Sequence, residues 1–192
     1  MAEIKDKFWL QKEQAALVVV DIQEKLVPAM DPAISERLVK HVDMLVQAFQ
    51  AMELPIIVTE QYPRGLGNTI GALSTAAEKN CVEKTAFSCA GEPNFVSALE
   101  KTGAKQVVLV GMEAHVCVYQ TMIDLIDRGY RVHLVTDAIC SRFKSDYQTA
   151  IAMASQMGAV LTTTEMALFQ LVGVAGGDIF KLVSKLVRQR NG

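Results

Sequence analysis

Six short apolar runs, spaced along the chain with helical stretches between them, constrain the fold more than any other feature of this sequence. The first is ALVVVD at Ala16–Asp21, closed by a carboxylate. PIIVT at Pro55–Thr59, QVVLVG at Gln106–Gly111, RVHLVTD at Arg131–Asp137 and AVLT at Ala159–Thr162 follow, with a weaker run at Cys81–Lys84. A strand with one solvated face alternates apolar and polar residues. These runs barely alternate, which implies strands buried on both faces and therefore parallel. Between them apolar residues recur every three or four positions. Ile34, Leu38, Val42, Leu45, Phe49 and Met52 mark one helix, opened by an Asp31-Pro32 cap. Phe95, Val96 and Leu99 mark a second that stops at Gly103, and Tyr119, Met122, Ile123 and Ile126 a third that closes at Gly129. Tyr147, Ala150, Ile151, Ala154 and Met157 mark a fourth, ended by Gly158. Strand and helix alternate throughout, so the expected class is α/β, a parallel sheet with helices on both faces.

The tail departs from this rhythm. After Gly176-Gly177-Asp178 a strongly amphipathic helix is expected at about 178–189, with Ile179, Leu182, Val183, Leu186 and Val187 on one face. That face either packs on its own domain or meets another subunit. With no internal repeat or linker, residues 1–192 read as a single domain, and the length suffices for a sizeable core. No apolar run reaches the ~18 residues of a membrane span, and the stretch from Met1 to Gln14 has no apolar signal core. A cytoplasmic location is therefore expected. A net charge of −2 gives no electrostatic reason to expect nucleic acid or a membrane surface as partner.

In an open parallel sheet, ligands bind beyond the carboxyl ends of the strands, where the strand order reverses. Asp21 closes the first run, Lys84 the weak third one, and Cys117 lies just past Gly111 at the fourth. If the first and fourth strands are neighbours at the reversal, the three converge although they are far apart in sequence. Cys117 begins a helix, whose positive end favours a thiolate, as would a nearby lysine; on that basis a lowered thiol pKa is expected. Asp21 could take the thiol proton and return it to a leaving group. The alternative is that Cys117 is a small buried hydrophobe. Of the other cysteines, Cys81 reads as core, Cys140 as packing near the same rim, and Cys89 as a loop residue that could be exposed. No CxxC or Cys/His pattern links them, so free thiols are expected. Gly65, Gly67 and Gly71 follow the second strand rather than the first, which argues against a dinucleotide site. His41, His115 and His133 share no metal-ligand spacing; His41 and His133 read as structural, while His115 could face the pocket.

Asp21 in VVVDIQ, Lys84 in VEKTAFS and Cys117 in VLVGMEAHVCV together resemble the Asp–Lys–Cys triad of the isochorismatase-like cysteine hydrolases, from about Ala16 to about Val172. TEQYPRGLG and GMEAHVC are most similar to the isochorismatase domain-containing subgroup. The resemblance implies a three-layer α/β/α, Rossmann-like fold with a six-stranded parallel sheet. It also implies a cis peptide at Met112–Glu113 and an oxyanion hole made by the backbone N–H groups of Glu113 and Cys117. Gln23, Gln61, Tyr62, Phe87 and His115 fall on rim segments near these three residues and are candidate substrate contacts. Nicotinamidases of this family carry an Asp-x-His metal cluster after the second strand; here Thr59-Glu60-Gln61-Tyr62-Pro63 stands there, so neither metal nor cofactor is expected. The expected function is metal-independent hydrolysis of an amide-type C–N bond in a small molecule, by a homo-oligomer. Isochorismatase-type vinyl-ether hydrolysis, which does not depend on the cysteine, and a non-catalytic binding or scaffold role are the alternatives.

Overall fold

Six strands form one all-parallel sheet in the order β3-β2-β1-β4-β5-β6. They are β1 (Ala15–Val20), β2 (Ile56–Gln61), β3 (Cys81–Lys84), β4 (Gln106–Met112), β5 (Arg131–Cys140) and β6 (Val160–Thr162). The computed structural model describes residues 4–78 and 80–189; the first three and last three positions of the domain expected at 1–192 lie outside them. The helices are α1 (Ile4–Phe8), α2 (Pro32–Ala51), α3 (Pro63–Leu66), α4 (Ser74–Ala77), α5 (Pro93–Lys101), α6 (Cys117–Asp127), α7 (Lys144–Gln156), α8 (Thr164–Val172) and α9 (Gly177–Arg188).

All six residues of β1 and all seven of β4 are buried, as their unbroken apolar runs require. Successive side chains go to opposite faces. Leu17, Val19, Val58, Val108 and Val110 pack on one face with residues of α2, α8 and α9. Ala16, Val18, Val20, Ile57, Val107 and Leu109 pack on the other with residues of α5, α6 and α7. The layers are thus helix, sheet and helix. The Asp31 carboxylate caps α2 by accepting from the amides of Ala33 and Ile34 at 2.9 and 3.2 Å. The stripe on α9 buries Val183 and Leu186 within the core face shared with α2 and α8, so the tail packs on its own chain.

Two readings need correction. Cys81 is exposed rather than core, because β3 is a short edge strand whose residues are mostly open to solvent. The fifth strand runs three residues beyond Asp137, to Cys140, across a register shift between Leu109 and Gly111. That extension brings Cys140 beside Met112. His133 is buried in β5; among the described residues its Nε2 has no hydrogen-bond partner, and burial with the nearby Arg131 charge holds its pKa down at about 4.

The order reverses between β1 and β4, which pair directly. Val20 lies opposite Gly111, and a Cβ on Gly111 would stand 2.1 Å from the Val20 carbonyl oxygen. Gly111 also has φ +120, outside the range of ordinary L side chains. Gly111→Ala is expected to cost about 3 kcal/mol or more, because the atoms met are backbone rather than a side chain that can move. Urea unfolding measures this, and a loss below about 1 kcal/mol would mean that the two strands separate freely.

Candidate functional site

Asp21 follows β1 directly and turns off it in the left-handed region, at φ +52, which Asp tolerates better than most residues. Its side chain is fully buried. Lys84, the last residue of β3, sends its Nζ to Asp21 Oδ2 at 2.7 Å. The same ammonium donates to Gln61 Oε1 at 2.7 Å, the Phe87 carbonyl at 3.0 Å and the Ala86 carbonyl at 3.3 Å. A lysine without solvent is tolerable only with this density of acceptors and a counter-charge. The second carboxylate oxygen, Oδ1, accepts from the Thr59 hydroxyl at 2.7 Å.

Cys117 opens α6, and its thiol is buried beside this pair. Burial pushes the thiol up to about 12; the Asp21 carboxylate adds to the rise, and Lys84 only partly offsets it. The expected lowering is therefore overturned. At 2.7 Å the lysine charge is largely spent on Asp21, so the sulfur is held in a poorly solvated place beside a neutralised pair. The resting thiol keeps its proton.

The turn leading into α6 is pinned on one side. The Ala114 amide donates to the Cys140 carbonyl at 2.7 Å, and Glu113 Oε2 accepts from the backbone amide and Nε of Arg142 at 3.1 and 3.0 Å. The Met112–Glu113 peptide is cis. The Val116 and Val118 amides donate to the Glu113 carbonyl, whereas among the described residues the amides of Glu113 and Cys117 have no partner. Among the described residues no side chain caps α6 either, and the His115 amide also has no partner. Three backbone donors in this turn are thus unspent.

The rim residues divide. Gln61 touches Lys84 and holds it in place, with its own Nε2 on the Thr85 carbonyl at 2.8 Å. Tyr62 and Phe87 are exposed aromatics. The Tyr62 ring lies over Gly65, where any Cβ would meet it at 2.5 Å. Gln23 is not available as a contact: fully buried, it donates to the Gln61 and Gly67 carbonyls at 3.0 and 2.6 Å and accepts from the Gln61 amide at 2.8 Å. It clamps the loop after β2 instead. His115 is partly exposed; its Nδ1 lies 2.9 Å from the Ser141 hydroxyl and its Nε2 faces Asp146 at 3.6 Å.

Three participants escaped the sequence reading. Cys89, expected in a loop and open to solvent, is fully buried in the turn after β3, with Sγ 3.6 Å from the Thr59 hydroxyl. The Ala86–Cys89 segment folds inward as Lys84 gathers the carbonyls of Ala86 and Phe87. Thr59 was visible only as a hydroxyl in an otherwise aliphatic strand. Arg142 had no local signal. Among the described residues, no group of three His, Cys, Asp or Glu side chains could hold a metal ion, and no helix is long and apolar enough to cross a membrane.

Residues 15–166 match the model of the isochorismatase domain. Isochorismatase domain-containing protein 2 from Danio rerio is 38% identical over 179 residues, covering 93% of this chain and 89% of that protein. Isochorismatase domain-containing protein 1 from Salmo salar is 37% identical over 144 residues, covering 75% of this chain. The chain spans only about half, 51%, of that relative's length. Among solved structures, a MAR1 ribonuclease from Caenorhabditis elegans superposes with a TM-score of 0.86 at 39% identity, covering 94% of this chain and 92% of that one.

Proposed function

The chain belongs to the isochorismatase family, a hydrolase fold, and from its site we propose that it hydrolyses a C–N bond of amide type in a small molecule, with Cys117 as nucleophile. One observation carries this reading: a buried Asp21–Lys84 pair at 2.7 Å beside a buried thiol, in a turn with unspent amides, those of Glu113 and Cys117 among them. In the proposed cycle Asp21 takes the thiol proton as sulfur attacks the carbonyl carbon. The amides of Glu113 and Cys117 receive the oxyanion, a contribution of about 3 kcal/mol per donor in comparable sites. Asp21 returns the proton to the departing nitrogen, leaving a thioester. Water, deprotonated by Asp21, then attacks the thioester; sulfur leaves, takes the proton back, and the acid is released. Lys84 keeps the carboxylate compensated throughout, and Gln61 keeps Lys84 in place. Tyr62 and Phe87 supply an apolar rim for the substrate's body.

We propose further that residues 1–192 act as one domain, in the cytoplasm, as a homo-oligomer. RNA cleavage, the activity named for the Caenorhabditis elegans structure, is the rival reading. The net charge of −2 argues against it, because phosphate contacts supply most nucleic-acid affinity. A screen of small amides, ureides and a labelled RNA decides between them. The expected outcome is amide turnover in the native protein and loss of at least about a thousandfold in Cys117→Ala with an unchanged circular dichroism spectrum. Undiminished amide turnover by Cys117→Ala would instead remove the cysteine from the reaction. RNA cleavage with no amide turnover would reject the reading outright.

A further inference from the structure

Thr59 occupies a place built for an aliphatic residue. It lies opposite Val20 on β1 and Val82 on β3, two residues on from Ile57, on the face that packs against Cys89 and Phe95. It has no solvent exposure. A hydroxyl buried there costs about 1–3 kcal/mol unless it is hydrogen-bonded, and a valine would fill nearly the same space without that cost. The hydroxyl has one proton, and it goes to Asp21 Oδ1 at 2.7 Å. The Asp21 amide in turn donates to the Thr59 carbonyl at 3.2 Å, so the two residues are tied twice. With the Thr59 proton committed, the 3.6 Å contact to Cys89 Sγ has the thiol as donor. The Cys89 amide donates to the Thr121 hydroxyl on α6 at 2.9 Å, one turn beyond Cys117. A continuous buried chain therefore links the carboxylate to the helix that begins with the nucleophile.

Each Asp21 oxygen thus has a fixed donor, Thr59 on Oδ1 and Lys84 on Oδ2. The carboxylate cannot rotate without breaking both bonds. We propose that Thr59 is a positioning residue for Asp21, fixing the carboxylate against Cys117 and easing release of the proton it takes up. This rests on Asp21 being the base and acid of the reaction.

Thr59→Val removes the hydroxyl and keeps the shape, and Thr59→Ser keeps the hydroxyl. In Val, kcat is expected to fall about 30-fold with KM nearly unchanged, because the missing bond matters to proton transfer rather than to substrate binding. Ser restores kcat. A readout free of turnover is the Asp21 carboxyl carbon resonance at one fixed neutral pH, assigned by NMR with Asp21→Asn. It is expected to move in Val, where Oδ1 loses its donor, and to return in Ser; Thr59→Ala serves in place of Val should that variant not fold. An unmoved resonance in the folded variant, or a Ser variant as impaired as Val, overturns the proposal. A moved resonance in a protein that turns over no amide supports Thr59's role while rejecting the amide reading.

Discussion

Lys84→Met is expected to lower the stability of the native protein by about 3–5 kcal/mol, a large share of what holds a domain of this size together. The substitution keeps the aliphatic length of the side chain and removes only the ammonium. Asp21 Oδ2 then loses its donor and its counter-charge in a place without water, and Gln61 Oε1 and the Phe87 carbonyl lose a donor too. Adding Asp21→Asn to the same chain removes the uncompensated charge while leaving an amide oxygen for the Thr59 hydroxyl. The double variant is expected to be more stable than Lys84→Met alone, with a coupling energy of about 2–3 kcal/mol between the two positions. Equilibrium urea unfolding of the four proteins gives that number. A coupling near zero would mean that water reaches the pair, and the buried site described above would then be wrong. The physical point is that Lys84 braces the site as well as serving it. One ammonium gathers the ends of β1 and β2 and the turn after β3, so the element that positions the base also closes that end of the sheet.

The sheet was legible because burial on both faces writes itself directly into composition. Ala15–Val20 and Gln106–Met112 have no polar residue except Gln106, and nothing but a central parallel strand needs such a run. The sixth strand and the amphipathic tail were equally plain. The helix Thr164–Val172 was not, because it is apolar nearly all round and so carries no periodic signal: Ala167, Leu168 and Leu171 are buried while Met166 and Phe169 are half open. At the site, three positions at strand ends could be named from topology and resemblance. Their chemistry could not, since a thiol's acidity depends on how far a lysine's charge is already committed elsewhere. Cys117 was expected to be acidic from a helix end and a cation, and both features are present; desolvation and the Asp21 carboxylate outweigh them. Gln23 looked available for the opposite reason. Sequence places a polar side chain on a rim but does not say that its donors and acceptors are already taken, as the Gln61 and Gly67 backbone takes those of Gln23.

Native Cys117 is expected to react with iodoacetamide at pH 7 about a thousandfold more slowly than an unhindered thiol, as a shift from 9.0 to about 12 requires. Asp21→Asn should reverse part of this, since burial is the larger cause. It removes the carboxylate that raises the thiol and uncovers the Lys84 charge that lowers it, so labelling at neutral pH is expected to quicken by about tenfold or more even as turnover is lost. The same shift governs stability at high pH. An unfolded chain releases its thiol proton above about pH 9, while the folded one holds it to about 12 at Cys117 and Cys140 and about 11 at Cys89. The unfolded state then binds fewer protons, and stability should fall from pH 9 upward by as much as about 1.4 kcal/mol per pH unit for each of these thiols. Peptide-resolved mass spectrometry of the four cysteines measures the labelling rates against pH. A slow native Cys117 that Asp21→Asn quickens means the proton leaves sulfur only as the carbonyl arrives, with Asp21 as the group that takes it. A Cys117 already fast at neutral pH would mean a preformed thiolate and leave Asp21 only the later proton transfers to the nitrogen and from water.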